Sequence, residues 1–211
     1  MPAFIIFRHR ILILYMSLIQ HPVTLTGPHI ELRPLERAHF PELLAIAAHP
    51  QIWEHMAMNG GDQDTLASYL TTTLLRRAAG EVYPFVVIDK STGSVVGTSM
   101  YHSIFPAWRK LEIGYTWFHP QVWRTGVNRE TKLLMLTHCF ETLETIRVQF
   151  VTDENNHRSR TALLGIGAVQ EGIMRNERIR HNGAYRNTVV FSIIDTEWPA
   201  VRARLQAQVS L

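Results

Sequence analysis

The chain has 211 residues, 46% of them hydrophobic and 18% charged, with 21 basic against 18 acidic side chains and a formal net charge of +3. This balance describes one ordinary globular domain with room for at most an added arm, and it excludes a disordered chain. It also excludes the dense basic stripe of a dedicated nucleic-acid binder, although a mild positive excess suits an acidic ligand such as a nucleotide.

The single cysteine, Cys139, leaves no intramolecular disulfide and no cysteine-based metal cluster, which fits a reducing compartment. Residues 4–19 read FIIFRHRILILYMSLI, and the apolar run 11–16 is too short to span a bilayer. Arg8 and Arg10 ahead of a short apolar core have a signal-peptide flavour, but no small-x-small cleavage site follows. Two other readings stand beside it: a translation start at Met16, and an arm packed on the body or on a partner subunit. The expected organisation is an extension over 1–27 and one domain over 28–211, in a cytoplasmic protein.

Ile30–Pro34 alternates and predicts a strand. Residues 37–48 predict a helix with Pro41 near its first turn, where a missing N–H is tolerated. Asp64 is the expected cap of the next helix, whose Leu66, Tyr69, Leu70 and Leu74 share a face and whose exit suits Gly80. Strands follow over 84–89, 95–105 and 110–118. In the last of these, Leu111, Ile113, Tyr115 and Trp117 are expected on one face, and Glu112, Gly114, Thr116 and Phe118 on the other.

Helical spacing resumes between Asn128 and Leu143 through Leu133, Leu136 and Phe140. A strand over 147–152 and a helix over 155–164 precede a hairpin whose Asn182-Gly183 predicts a type I′ turn. A final helix over 195–208 has Asp195 or Thr196 as its cap. A meander in the first half and β-α-β-α in the centre predict a mixed-sheet α/β layer fold.

The segment between strand 110–118 and the following helix, HPQVWRTGVNRE (119–130), carries the first chemical signal. A strand that turns directly into a helix offers free backbone N–H groups to an anion, aided by the helix dipole. Gly126 lets the turn take unusual dihedrals and lets a ligand approach, and Arg124 and Arg129 add charge. The same Gly also serves a plain tight turn with Asn128 as the helix cap. The segment is neither Gly-x-Gly-x-x-Gly nor a P-loop, which disfavours dinucleotides and nucleoside triphosphates.

Trp123-Arg-Thr-Gly126-Val-Asn128 resembles the pyrophosphate loop of the GNAT acetyltransferases, and more closely that of the RimJ/RimL-type branch. NHRSRTALLGIGAVQEG (156–172) resembles that branch's Asn-x-x-Ser helix and the strand after it, and GAYRNTVVFSIIDTEWPAV (183–201) its terminal strand and helix. With IELRPL (30–35), the resemblance runs in order over about 28–208. Asn128 departs from the Gly or Ala usual in the family, at the place where backbone meets pyrophosphate.

The resemblance implies a mostly antiparallel sheet of six to seven strands flanked by helices, with two central strands splayed apart. It implies acetyl-CoA as co-substrate, with its pantetheine arm along Tyr115, Thr116, Trp117 and Phe118. Its diphosphate would lie on the amides of Arg124, Thr125, Gly126, Val127, Asn128 and Arg129, and Asn156 would contact the arm. The implied reaction is direct acetyl transfer to a primary amine, on a protein N-terminus or a small molecule.

Glu112 is the candidate base, since an amine must lose a proton to attack and small Gly114 beside it leaves room for an acceptor. A surface ion pair with Lys110 is the alternative. Ser159 is the candidate acid toward the leaving thiolate, or else an ordinary helix serine bonded to its own backbone.

The eleven histidines show no ligand spacing, so no metal is expected. His138 reads as packed or solvated in its helix. Serines lack a Gly-x-Ser-x-Gly elbow, against hydrolase chemistry. Arg175, Arg178, Arg180 and Arg186 flank the hairpin turn, as steering charges for an acidic acceptor or as a solvated basic patch. A coenzyme A-binding sensor without transferase activity is the competing function, and an RNA-associated protein the weaker third. No membrane partner is expected, and a homodimer is left open.

Overall fold

The computed structural model describes residues 18–209; the apolar N-terminal run and its possible start at Met16 lie outside them. Eight strands form one sheet: β1 (Leu25–Thr26), β2 (Ile30–Pro34), β3 (Tyr83–Asp89), β4 (Val95–Phe105), β5 (Lys110–Phe118), β6 (Arg147–Asp153), β7 (Val169–Ile179) and β8 (Tyr185–Ile194). The helices are α1 (Phe40–Ala47), α2 (Gln63–Ala78), α3 (Val127–Thr137), α4 (His157–Gly165) and α5 (Trp198–Val209). The strand order is β1-β2-β3-β4-β5-β6-β8-β7, and every neighbouring pair is antiparallel except β5 and β6. The α/β class and the flanking helices are as expected; the two-residue β1 raises the strand count to eight. Among the described residues, no helix is long and apolar enough to cross a membrane.

Two apolar layers cover the sheet. β3 is buried on both faces, so its alternate residues supply both layers: Phe85 and Val87 pack with α3, α4 and α5, while Val86 and Ile88 pack with α1 and α2. The first layer also takes Met135, Leu163 and Leu205 from the three helices, and the second takes Leu43, Leu66 and Leu70. Residues 18–27 join the body: Ile19 is buried in the first layer, the backbone N–H of Val23 donates to Tyr83 Oη at 2.7 Å, and β1 pairs with β2.

Several local expectations change. Residues 37–39 form a short 3-10 turn and α1 starts only at Phe40. Asp62, not Asp64, caps α2, because its extended backbone lets the carboxylate accept the Thr65 N–H at 2.9 Å. The hairpin turn is not type I′. Gly183 N–H donates to Arg180 O at 2.8 Å, so His181 and Asn182 are the central residues, and only Gly183, at φ 83°, is left-handed. This is the longer turn whose last residue must be left-handed, which Gly supplies. α5 begins at Trp198, after Asp195 Oδ1 has taken the Thr196 N–H. The buried stripe runs through Lys132, Met135 and Leu136 of α3 and on to Cys139 just beyond its end, rather than through Leu133 and Phe140, which are half-buried.

The expected faces of β5 also change midway. Tyr115 takes φ 48°, and the register against β4 slips between Thr98 and Met100. One extra residue in an antiparallel pair reverses the alternation beyond it. Leu111, Ile113, Thr116 and Phe118 therefore face α3, while Glu112, Tyr115 and Trp117 face the α2 side. The parallel pairing with β6 covers only Lys110↔Arg147, Leu111↔Val148 and Glu112↔Gln149. Beyond Glu112 the two strands separate while β6 stays paired to β8 as far as Asp153↔Thr188.

α3 is fixed to the first strands by Glu130, whose buried carboxylate accepts the N–H of His29 at 2.9 Å and of Ile30 at 3.1 Å. Glu130→Ala should leave two amides without an acceptor and destabilise the fold by about 2 kcal/mol, with Glu130→Gln milder. Urea unfolding of the two variants measures this.

Candidate active site

At the end of β5, Trp123 Nε1 donates to Phe118 O at 3.0 Å and holds the following loop against the strand. Arg124 (φ 66°) and Gly126 (φ 101°) both take left-handed conformations, and α3 begins at Val127. The first intrahelical bond runs from Glu130 N–H to Gly126 O, 3.0 Å. The N–H groups of Val127, Asn128 and Arg129 therefore have no acceptor among the described residues, and no side chain caps the helix. A Cβ built on Gly126 meets nothing within 4 Å, so the space before these donors is open. A left-handed φ still favours Gly there. Such an uncapped helix start has the donors and the dipole that suit an anion.

The terminus opens into a cleft of about 1020 Å³, running between the separated ends of β5 and β6. The cleft brings together Glu112, Tyr115, Thr116, Trp117, Phe118, Arg124, Gly126, Asn128, Arg129, Asn156 and Ser159. Of the residues expected to catalyse the reaction or hold the cofactor, only Thr125 and Val127 do not line it. The Thr125 hydroxyl donates to Val122 O at 2.7 Å, and Val127 packs on the core. The Thr125 N–H also turns inward, donating weakly to Val122 O at 3.4 Å, whereas the Val127 N–H stays free among the described residues.

Glu112 is not a surface residue. It is 6% exposed, and Gln149 Nε2 donates to its Oε2 at 3.2 Å. Its Oε1 is buried without a hydrogen-bond donor, because His102 Nε2, 3.3 Å away, is not aligned to give one. Lys110 is elsewhere, its amine over the rings of Phe105 and Trp108 at 4.9 Å. The room beside Gly114 is taken: a Cβ there would lie 2.4 Å from His102 Nε2. Burial raises the Glu112 pKa above its ordinary value, against the Gln149 hydrogen bond. Burial also pushes His102 down to about 4, so the imidazole is neutral at pH 7.

Asn156 caps α4, its Oδ1 accepting the Ser159 N–H at 2.9 Å. That leaves the Asn156 amide N–H groups and the Ser159 hydroxyl, for which no hydrogen bond is formed among the described residues, on the cleft wall. His138 is buried at the end of α3, stacked on Tyr101, with Nδ1 3.2 Å from the Tyr101 hydroxyl.

The strongest omission from the sequence reading is Lys132. Its buried amine donates to Thr116 Oγ1 at 2.8 Å, and desolvation pushes it down to about 7. The available signal was its place at i, i+3, i+4, i+7 with Met135, Leu136 and Cys139, a spacing at which a lysine must be buried. Arg158, stacked 3.9 Å over Trp123, and Arg204 of α5 also line the cleft and add cations on the side of the α3 terminus. His102 was legible only through the β4–β5 register, which sets it opposite Glu112.

A strand edge freed by splaying, an open helix terminus at its end and a buried carboxylate thus meet in one cleft. The profile described as acetyltransferase (GNAT) domain matches residues 29–169, and the chain belongs to that family. "Uncharacterized N-acetyltransferase YoaA" of Bacillus subtilis (strain 168) is 30% identical over 105 residues, covering 50% of this chain and 58% of YoaA. The chain thus spans little more than half the length of the curated relatives it matches. A GCN5-related N-acetyltransferase from Brucella melitensis superposes with a TM-score of 0.80 at 27% identity, over 90% of this chain and 86% of that one. Mycobacterium smegmatis RimJ, solved in complex with CoA-disulfide, shares the fold with a TM-score of 0.73 at 24% identity, over 89% and 95% of the two chains.

Lys132 makes the fold pH-dependent. Its folded-state value, about 7, lies below the ordinary 10.5. Between these limits the unfolded chain holds a proton that the folded chain lacks, so raising the pH favours folding; below about 7 both hold it and the slope vanishes. Relative to Lys132→Met, the native chain should gain up to about 1.4 kcal/mol per pH unit between pH 7 and 9. Urea unfolding of both proteins across pH 6 to 9 measures the difference.

Proposed function

We propose that the chain is an acetyl-CoA-dependent N-acetyltransferase of the RimJ/RimL type that moves the acetyl group directly to a primary amine. The observation that carries this reading is the single cleft joining the open α3 terminus to the unpaired Oε1 of Glu112. In this reading the amides of Arg124 to Arg129 hold the diphosphate, with Arg129, Arg158 and Arg204 adding charge. The Tyr115–Phe118 edge, free of β6, accepts the pantetheine arm as an added strand. The size of the cleft suits a ligand of this bulk.

The acceptor arrives as an ammonium and becomes a nucleophile when Glu112 Oε1 takes its proton. Burial that raises the carboxyl pKa brings it closer to the working pH, where a base is most effective. The amine lone pair then attacks the thioester carbonyl and the C–N bond forms; as the C–S bond breaks, the nitrogen gives up its second proton to solvent, leaving the neutral amide. Ser159 gives its hydroxyl proton to the departing thiolate and regains one from water. Neutral His102 adds no charge to compete with the ammonium for Glu112.

Acetyl-CoA should raise the melting temperature, because a ligand that binds only the folded state stabilises it. Absence of any shift at millimolar acetyl-CoA would contradict both this reading and a coenzyme A sensor. Glu112→Gln should lower kcat about 100-fold at neutral pH while leaving acetyl-CoA affinity unchanged, and Ser159→Ala should lower kcat several-fold. In the unaltered chain the rate should fall as the pH drops through a value above the ordinary carboxylate range, and the Gln variant should lose that limb. Thiol release followed from pH 5 to 9 tests this, and an unchanged kcat would remove Glu112 from the mechanism.

A further inference from the structure

The β7–β8 hairpin carries a buried cation that the proposed chemistry does not use. Arg186 is 6% exposed, its Nε is buried with no hydrogen-bond partner, and its guanidinium forms no hydrogen bond among the described residues. The nearest carboxylate oxygen, Asp153 Oδ2, is 3.8 Å away. Asp153 is already committed: Arg180 grips both its oxygens at 2.8 and 2.9 Å, and the Asn155 N–H adds a third bond at 2.9 Å. Arg178, opposite Arg186 in register, is held by Glu177, which also takes the Thr188 hydroxyl. Arg186 is thus left with free donors, and both it and Arg178 line the cleft.

A desolvated guanidinium with no hydrogen bond and only a long ion pair, 3.8 Å from Asp153, is costly, and it persists where a ligand completes it. β8 lies beyond β6 from β5, so Arg186 reaches the cleft from the β6 side. Its charge and that of Arg178 act on Glu112, the proposed base. The planar fork suits an oxyanion. Arg178 and Arg180 are paired with Glu177 and Asp153, so Arg186 is the one of the three left to match an anion, which suits a single negative charge better than a phosphate dianion; Glu112 is left for the ammonium.

Resting on the transferase reading above, we infer that Arg186 binds a carboxylate of the acceptor, so that the substrate carries an amine for Glu112 and a carboxylate for Arg186. This carboxylate belongs either to a free amino acid or to an acidic side chain at a peptide N-terminus.

The test compares matched acceptors at saturating acetyl-CoA, following thiol release. One arm sets free amino acids against their amides; the other sets peptides beginning with aspartate or glutamate against those beginning with asparagine or glutamine. In one arm the carboxylate member should win by about tenfold or more in kcat/KM, and that arm identifies the source. Arg186→Gln should bring the pair level with KM for acetyl-CoA unchanged. Arg186→Lys, which keeps charge and bulk but loses the fork, should retain part of the preference and serves if the Gln variant does not fold.

Equal or better turnover of the neutral members in both arms overturns the inference and leaves the transferase reading intact. So does a preference that survives Arg186→Gln, or an equal rise in KM for acetyl-CoA. No thiol release from any amine sinks both.

Discussion

Everything at the site depends on where β5 and β6 stop pairing. Their ladder is three residues long and ends at Glu112↔Gln149. Short of that point the pair closes the sheet and supports the core; past it, each strand must find other partners. β6 remains tied to β8, and β5 remains tied to β4 across the slip at Tyr115. The wedge between them is a sheet edge inside the molecule, with backbone groups that no neighbouring strand can reach. Such an edge is normally covered or blunted; here it faces a cleft shaped for an extended ligand.

The same wedge explains why charged groups are buried around it. Glu112 sits at the last paired position, Lys132 reaches up from α3 to Thr116, and Arg186 enters from β8. Each is taken out of water, and burial displaces the pKa of each in the direction that disfavours its charge. A fold optimised for stability would replace them with apolar side chains of similar size. Groups with displaced pKa values cluster at functional sites, and these three line one cleft. Glu130 is the contrast: it is equally buried, yet its carboxylate binds two backbone amides and serves the architecture.

Much of this was legible in the sequence, because it depends on neighbours along the chain. The period of apolar residues placed most of the strands and helices, and the strand–Gly–helix junction marked the anion terminus before any coordinates. What failed did so through long-range contacts. The faces of β5 inverted beyond Tyr115, because a left-handed residue and a slipped register are decided by the strand alongside. Gly114 looked like room for a substrate until His102, twelve positions earlier, filled it. Asp62 and Asp64 compete for one helix start, and only the dihedrals of the folded loop chose between them.

By itself, then, the sequence determined the layer fold, the family resemblance and the Gly turn that opens α3, all of which rest on local periodicity and on contiguous motifs. Tertiary structure alone decided that Glu112 is desolvated with one oxygen unpaired, that Lys132 is a buried amine, and that Arg186 is buried without a hydrogen bond. Those properties arise from how far each group is removed from water and from which opposite charges are already committed elsewhere. Spacing along a chain does not encode either quantity; packing of strands and helices distant in sequence does.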